Sequence, residues 1–330
     1  MGKKILVVGG AGYIGSHMVR TLLENKFQPI VFDNLSTGHR SFIPKKTPFI
    51  QGDLRNKKEI LNALKIYNIE TVMYFAASIV VSESVKNPLK YYENNVSASI
   101  HLIQAMVESK VKKMIFSSTA AVYGEPKKIP IDETEPTLPE NAYGRSKLMV
   151  EEILKESARA YDFNYISLRY FNVAGSHPKA DIGIKYKVVT HLIPSILKVA
   201  SGERKVFNIF GEDYPTKDGT CIRDFIYVLD LCKAHLCALR YLSQTQKSDV
   251  FNLGNGNGFS VKQVLKMAEQ VTGKKISTHF EKRRPGDPAR VVASSKKAQK
   301  ILGWKPETTL KEIVETAWKW ECFLKAQSNN

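Results

Sequence analysis

The chain has 330 residues, of which 43% are hydrophobic and 25% are charged, and its formal net charge is +17. This length allows one large domain or two small ones, and the hydrophobic content is ordinary for a protein that buries a core. No stretch approaches the roughly 18 uninterrupted apolar residues that a membrane helix needs. We therefore predict no membrane span, and since the first residues lead directly into a strand we expect a cytoplasmic protein.

The patterns of charge and of cysteine exclude further classes of partner. The basic residues are scattered as doublets such as Lys57-Lys58 and Lys127-Lys128, with no stripe or patch interleaved with aromatic residues. We therefore predict no nucleic-acid partner, and the positive field would instead attract a small anionic substrate. The four cysteines form no CxxC pair and no cluster with histidine, so neither a disulfide framework nor a metal site is predicted.

The first half of the chain alternates predicted strands and helices. The predicted strands are 4–8, 29–32, 49–51, 71–75, 113–117 and 165–170, and the predicted helices are 16–24, 56–67, 88–108 and 143–161. This alternation predicts an α/β fold with a doubly wound parallel sheet, the Rossmann arrangement.

The alternation ends after about Gly175. A predicted helix at 192–201 lies in a segment rich in glycine, proline and charge, whereas helix 228–242 and strand 250–253 resemble a return to the sheet. A glycine-rich turn at 254–258 and a final amphipathic helix at 310–324 follow. We expect a cofactor domain over 1–175, with 225–255 returning to it, and a smaller mixed C-terminal substrate region formed by 176–224 and 256–330.

A glycine motif near the start predicts a dinucleotide site. Gly9, Gly12 and Gly15 follow a predicted strand and open a helix, so the backbone and the helix N-terminus can approach a pyrophosphate. Asp33 ends the second strand, 18 residues past Gly15, where an acid can bind both ribose hydroxyls and repel a 2′-phosphate. This favours NAD over NADP. Asp53, at the end of the third strand, can either reach the adenine amino group or cap the next helix.

A second motif predicts a general base. Tyr143 and Lys147 are four residues apart on a predicted helix and share a face, so the ammonium can favour the phenolate. Thr119 ends a strand with consecutive hydroxyls and can polarise the same substrate hydroxyl. Alternatively, one of these hydroxyls caps the following turn, which we expect of Ser117 or Ser118 rather than of Thr119.

Together these motifs resemble the extended short-chain dehydrogenase/reductases, and within them the UDP-galactose (UDP-glucose) 4-epimerases. The resemblance extends from Gly9 to about Trp304. The matching segments are GGAGYIGSH at 9–17, DNLS at 33–36, NPLKYYENN at 87–95, LRYFN at 168–172, DGTCIRDF at 218–225 and RRPGD at 283–287.

The resemblance implies inversion of sugar C4 through a 4-keto intermediate, with tightly bound NAD, in a homodimer. We expect helices 88–108 and 143–161 to form the dimer interface, because both have apolar residues beyond one face. It implies that Thr119, Tyr143 and Lys147 are catalytic. The residues that it places around NAD are Gly9, Gly12, Tyr13, Ile14, Gly15, Asp33, Asn34, Asp53, Leu54, Phe75, Ala76, Asn94 and Tyr170, together with Tyr143 and Lys147. Those that it places around the UDP-sugar are Asn172, Arg223, Arg284 and Asp287, with Phe210 near the uracil. For Arg284, the Pro-Gly turn that follows favours a site over a plain surface charge.

Four positions depart from the commonest family pattern. Thr119 replaces a serine and keeps the hydroxyl, whereas Ile79 replaces a lysine and removes one phosphate contact. His191-Leu192 replaces Asn-Leu beside the substrate, where His191 either contacts the sugar or only starts a helix. Val291 stands where a tyrosine or a smaller residue borders the sugar C2 substituent. Because valine leaves room, we expect UDP-N-acetylhexosamines to be accepted as well as UDP-hexoses.

Other functions remain open from the sequence. The protein could act on UDP-N-acetylglucosamine only, or bind NAD without catalysis, although intact Thr119, Tyr143 and Lys147 argue against the latter. A sugar-nucleotide 4,6-dehydratase would carry Asp-Glu where this chain has Ala120-Ala121. A reductase would usually prefer NADP, which Asp33 disfavours.

Overall fold

The computed structural model describes residues 3–186, 189–284 and 286–328; Pro285, which begins the predicted Pro-Gly turn, lies outside them. The strands are β1 (Lys4–Val8), β2 (Gln28–Asp33), β3 (Phe49–Gln51), β4 (Thr71–Tyr74), β5 (Lys113–Thr119), β6 (Asn164–Tyr170), β7 (Asn172–Ala174), β8 (Phe207–Phe210), β9 (Ile222–Arg223), β10 (Phe225–Tyr227), β11 (Asp249–Leu253), β12 (Phe259–Ser260), β13 (Thr278–Glu281) and β14 (Arg290–Val291). The helices are α1 (Tyr13–Glu24), α2 (Lys57–Ile66), α3 (Val81–Lys86), α4 (Pro88–Tyr91), α5 (Ala98–Glu108), α6 (Ala142–Ala160), α7 (Leu192–Ala200), α8 (Val228–Thr245), α9 (Val261–Thr272), α10 (Lys296–Leu302) and α11 (Leu310–Ser328).

Within the described residues, one sheet of seven parallel strands forms the centre of the molecule, in the order β3-β2-β1-β4-β5-β6-β11. The chain runs outward from β1 to β3 on one side and from β4 to β6 on the other. The predicted doubly wound parallel sheet is therefore confirmed. In such a sheet the carboxyl ends of the strands border a crevice where the strand order reverses, here between β1 and β4.

Side chains of the sheet alternate between two apolar layers. Ile5 and Val7 of β1 belong to the buried cluster that includes α1 and α8, whereas Leu6 and Val8 belong to the cluster that includes α2, α5 and α6. Because successive side chains of a strand point to opposite faces, a strand buried on both faces is apolar throughout. This double burial explains the continuous apolar sequence of β1.

A third apolar cluster is built from α7, α9, α11 and short strands. Ile196, Val264 and Val314 are fully buried there, and Tyr13 of α1 belongs to the same cluster. Of the short strands, β9 pairs with β12 and β14, while β8 pairs with β13. In the part of the chain that the structure describes, no helix has both the length and the apolar content needed to cross a bilayer.

The helix predicted over 88–108 is helical throughout, but it is not α-helical throughout. Between α4 and α5 the backbone forms a π-helical segment, Tyr92–Ser97. Asn95 lies in this segment, where its Oδ1 accepts a hydrogen bond from Ser78 N (2.8 Å) and its Nδ2 donates to Ser78 O (3.0 Å). Single π turns inside helices are often found at functional sites, and this one anchors the loop that follows β4.

Candidate active site

The predicted glycine motif forms a tight loop between β1 and α1. Gly9 has a φ of +75°, and a Cβ there would lie 2.5 Å from Ala76 N. A Cβ on Gly15 would lie 2.2 Å from Gly9 O, whereas one on Gly12 would meet only that oxygen, at 3.3 Å. Gly12 is also the N-cap of α1. At Gly9 the loop therefore packs without a side chain against the segment that follows β4, and it presents a helix N-terminus at its open side, as a pyrophosphate site requires.

Asp33 lies beside this loop at the carboxyl end of β2. Its Oδ2 accepts a hydrogen bond from Ala11 N (2.9 Å) and its Oδ1 accepts one from Leu35 N (2.8 Å). Burial raises the pKa of the Asp33 carboxyl, and the two amide donors oppose that rise. Each carboxylate oxygen keeps a lone pair for a hydroxyl donor, so the acid can bind a ribose next to the glycine loop.

Asp53 does not cap helix α2. The N-cap is Asn56, whose side chain accepts a hydrogen bond from Lys58 N. Asp53 instead pairs with Arg55 in a bidentate contact of 2.8 and 3.0 Å and accepts a hydrogen bond from Asn34 (3.1 Å). Hydrogen bonds from Arg55 hold the pKa of the Asp53 carboxyl well below its usual range. Sequence analysis missed Arg55, because an arginine two residues from an acid is no signal by itself.

The other residues predicted to surround a dinucleotide are found mainly along the carboxyl edge of the sheet. Asn94 lies in the π-helical segment and donates to Ser78 Oγ (3.1 Å). The Tyr13 hydroxyl donates to Gly175 O (2.6 Å), which joins α1 to the segment after β7. The remaining members are Ile14 in the first turn of α1, Leu54 after β3, Phe75 and Ala76 after β4, and Tyr170 at the end of β6.

Tyr143, Lys147 and Thr119 come together where β5 ends against α6. Lys147 Nζ donates to Ser117 O (2.9 Å) and lies 4.8 Å from the centroid of the Phe116 ring. Thr119 Oγ1 accepts a hydrogen bond from Ala121 N (3.2 Å), so Thr119 caps the following turn. The expectation that Ser117 or Ser118 would do so is wrong, because β5 continues to Thr119 and keeps both serines inside the strand.

Burial dominates the electrostatics of the Tyr143 and Lys147 pair. It raises the pKa of the Tyr143 phenol, and a hydrogen bond with Thr119 opposes that rise. It lowers the pKa of Lys147 to about 7, and the Glu151 carboxylate opposes that fall. Lys147 alone therefore does not produce the phenolate expected from the spacing, because desolvation of the phenol disfavours its charged form.

The residues predicted to hold UDP form two contacts in the C-terminal half. Arg223 Nη2 pairs with Asp287 Oδ1, and Val291 lies opposite Arg223 in the β9–β14 pair. The Arg284 guanidinium lies 3.9 Å above the centroid of the Phe210 ring. An ion-paired arginine and a stacked arginine give this region two planar donors suited to phosphate oxygens.

Asn172, His191 and Leu192 lie on other segments. Asn172 Nδ2 donates to Asp224 O (2.9 Å), beside Arg223. His191 is the N-cap of α7, which begins at Leu192, and its ring stacks on Tyr186 with a centroid distance of 5.7 Å. Burial lowers the pKa of His191, and its Nδ1 has no hydrogen-bond partner among the described residues. His191 therefore starts a helix, and its buried Nδ1 is left without a partner among the described residues.

The residues predicted to be catalytic and those predicted to bind UDP are linked by apolar packing. Val291 packs in one cluster with Val122, Tyr123 and Phe171, and Ala120 borders the same cluster. Since residues 120–123 form the turn directly after Thr119, Val291 stands close to the end of β5. The structure therefore brings the residue predicted to border the sugar next to the predicted catalytic group.

Two further residues contact the predicted site, and the sequence alone did not indicate them. Ser146 lies between Tyr143 and Lys147 and accepts a hydrogen bond from Asn95 Nδ2 (3.0 Å), which joins α6 to the π-helical segment. His235 of α8 lies 5.0 Å from the Phe75 ring. Helical periodicity indicates that such residues are buried but does not indicate what they contact.

The buried Lys147 should make stability depend on pH. Its pKa is 10.5 when exposed and about 7 in the fold, so between these values the unfolded chain binds more protons and wild-type stability rises with pH. The free energy of unfolding of Lys147→Met minus that of nucleotide-free wild type should therefore fall as pH rises, by at most about 1.4 kcal/mol per pH unit. Urea unfolding from about pH 6 to about pH 10 measures it. Exposed Lys155→Met is the control, and equal pH dependence of both variants would contradict the assignment.

Comparisons with known proteins agree with this geometry. The chain is 50% identical over 317 residues to UDP-glucose 4-epimerase of Halalkalibacterium halodurans, covering 96% of this chain and 95% of that protein. The UDP-glucose 4-epimerase of Bifidobacterium longum, solved with NAD⁺ and UDP, superposes with a TM-score of 0.92 at 37% identity, covering 97% of this chain and 98% of that one. The UDP-Glc/GlcNAc 4-epimerase of Campylobacter jejuni superposes with a TM-score of 0.86 at 43% identity, covering 98% and 100%.

A family model also matches most of the chain. The model described as the NAD dependent epimerase/dehydratase family matches residues 5–254, which include the glycine loop, the end of β5 and helix α6. The chain belongs to the NAD dependent epimerase/dehydratase family.

Proposed function

We propose that this protein interconverts UDP-glucose and UDP-galactose by inverting sugar C4 with tightly bound NAD. The observation that carries the proposal is the meeting of Thr119, Tyr143 and Lys147 at the same edge of the sheet as the glycine loop. The UDP-glucose 4-epimerases to which the chain is similar, over nearly their whole length, support the same reaction.

The residues at the sheet edge fit NAD. The glycine loop would hold the pyrophosphate, since its backbone has no room for side chains at Gly9 and Gly15. Asp33 would bind the adenosine ribose, and Asp53 with Asn34 would border the adenine. Lys147 would bind the nicotinamide ribose. The remaining contacts would come from Tyr13, Ile14, Leu54, Phe75, Ala76, Asn94 and Tyr170.

Bound NAD would supply a reversible hydride acceptor for sugar C4 and, when oxidised, a positive ring that would lower the pKa of a nearby phenol. Tyr143 takes the proton of the 4-hydroxyl as general base and later gives it back. Thr119 Oγ1 keeps its own proton while it accepts from Ala121 N, so it can donate to the same sugar oxygen. Lys147, held by Ser117 O, keeps a cation beside the phenolate.

The UDP group would serve as a fixed handle for a mobile sugar. Arg223 and Arg284 would bind the diphosphate, Asn172 and Asp287 would support it, and Phe210 would border the uracil. The flat 4-keto sugar can then turn about its phosphate link and present its other face. In this division of labour residues 1–175 with 225–255 hold the cofactor, and 176–224 with 256–330 hold the substrate. Strong binding of the handle does not hinder the reacting ring.

The space beside Val291 supports a broader substrate range. Val291 is half-buried beside the turn after Thr119, where the sugar C2 substituent is expected, and His191 and Leu192 would border the same sugar. A related chain is a UDP-Glc/GlcNAc 4-epimerase. We propose that UDP-N-acetylglucosamine and UDP-N-acetylgalactosamine are substrates as well.

Exposed apolar residues support a homodimer. Leu89 on α4, Ile100 on α5 and Met149 on α6 are all exposed, and these helices cover one face of the sheet. Identical helices from a second copy would bury them across a two-fold axis. Cys221, Cys232, Cys237 and Cys322 are free, which fits a reducing compartment such as the cytoplasm.

Purified protein given UDP-galactose without added nucleotide should form UDP-glucose, which product chromatography would detect. Tyr143→Phe should lower kcat by about 100-fold or more, because the general base is lost, whereas Tyr161→Phe at the exposed end of the same helix should not. No conversion even after NAD is added would contradict the proposal. UDP-N-acetylglucosamine in the same assay would then separate an enzyme for N-acetyl sugars only from a protein without catalysis.

Val291→Tyr should lower kcat/KM for UDP-N-acetylglucosamine by about tenfold or more, because the ring would fill the space for the acetamido group. Activity on UDP-galactose should change by less than about threefold. Val206→Tyr, at an exposed site directly before β8, is the matched control. Comparable turnover of both sugar classes by Val291→Tyr would count against the role of this position.

The double variant Ile100→Glu, Met149→Glu should shift the protein from twice the chain mass to the mass of one chain, because charges would be buried at the interface. Light scattering coupled to gel filtration measures this mass. Ile66→Glu, an exposed apolar site on α2, should leave the dimer intact. A wild-type protein of single-chain mass would contradict the dimer.

A further inference from the structure

We infer that Glu151 and Arg169 form a positioning pair that fixes the three groups of the reaction centre relative to one another. The inference rests on the proposed function and assigns these two residues a part in it. Neither side chain is exposed enough to contact a sugar, because both are buried behind the carboxyl edge of the sheet. They act on the reaction through the residues that flank them.

Glu151 is the point where three elements meet. Its carboxylate receives Arg169 Nε at 3.0 Å and Arg169 Nη2 at 2.5 Å, and Ser118 Oγ also donates to it. Glu151 belongs to α6, Ser118 to β5 and Arg169 to β6. A single buried carboxylate therefore joins one helix to two neighbouring strands.

Each partner of this contact is next to a residue of the proposed site. Glu151 lies one helical turn after Lys147, Ser118 directly precedes Thr119, and Arg169 directly precedes Tyr170. Thr119 and Tyr170 are also opposite each other in the β5–β6 pair. A shift of α6 relative to β5 would therefore change the position of the base relative to Thr119, and the buried contact opposes that shift.

Arg169 extends the contact to the turn after β5. Its Nη1 donates to the Tyr123 hydroxyl (3.0 Å), which in turn donates to Asn252 Oδ1 on β11 (2.7 Å). Its guanidinium also lies 5.0 Å from the Tyr123 ring centroid. Since Tyr123 ends the turn that Thr119 caps, Arg169 supports the chain on the far side of Thr119, and Ser118 supports it on the near side.

The energetics favour a role in geometry. A buried ion pair costs desolvation energy that its attraction barely repays, so an apolar pair of the same volume would often be as stable. What an ion pair provides and apolar packing does not is direction, since each hydrogen bond fixes two atoms. The Glu151 carboxylate also opposes the effect of burial on Lys147 and so favours its ammonium form.

The test compares Glu151→Gln with Glu152→Gln in the full protein with its bound nucleotide. Glutamine keeps the shape of the side chain but loses the charge that holds Arg169. Glu152 is the matched control, because it is the next residue of the same helix and is exposed. Four readouts are needed: kcat and KM for UDP-galactose, bound NAD by absorbance after denaturation, and the thermal unfolding midpoint.

We expect Glu151→Gln to lower kcat by about 10- to 100-fold, since small misplacements of reacting groups have effects of that size. KM and bound NAD should stay within about twofold of wild type, and Glu152→Gln should match wild type throughout. A kcat equal to that of Glu152→Gln would overturn the inference. So would a loss of kcat that only follows the loss of NAD or of folded protein, because that is a merely structural effect.

Ser118→Ala keeps the inference testable if Glu151→Gln does not fold. It removes one hydrogen bond between β5 and α6 without leaving a charge unpaired, and it should lower kcat by about threefold or more at constant KM. An unchanged kcat would overturn the inference. An inactive wild type would overturn the proposed function and the inference with it, whereas an active wild type with unaffected variants would overturn the inference alone.

Discussion

The parallel order of the central strands is the constraint on which the rest of the molecule depends. Because β1, β4, β5 and β6 are adjacent and parallel, their carboxyl ends lie on one edge of the sheet. Each loop that leaves this edge carries one part of the site: the glycine loop, Ala76 with Phe75, Thr119, and Tyr170. Parallel pairing thus collects residues that are far apart in sequence, and helix α6 adds Tyr143, the proposed base, across the same edge.

Burial gives this edge its chemical character. It raises the pKa of Tyr143 and lowers that of Lys147, so it disfavours the charged form of each group. A bound positive ring would reverse that balance for the phenol, which couples the proposed base to the presence of its cofactor. The Glu151–Arg169 pair lies behind these groups and holds the elements that carry them.

Much of the fold and site was predictable, but the contacts between distant residues were not. The periodicity of the first half predicted the doubly wound sheet, and the glycine motif with Asp33 was found from spacing alone. The π-helical segment was missed, because it depends on Asn95 and Ser78 meeting across 17 residues of chain. The capping role of Thr119 was missed because it depends on where β5 ends.

The sequence by itself determined which reactive groups the protein has and which elements carry them, because spacing and periodicity act within one strand or a few helical turns. Only the tertiary structure decided which groups are partners and how burial shifts their pKa values. Arg223 and Asp287 are 64 residues apart, and Arg169 and Glu151 are 18 apart. Such pairs form only when the packed sheet brings their elements together, and desolvation exists only in the packed state.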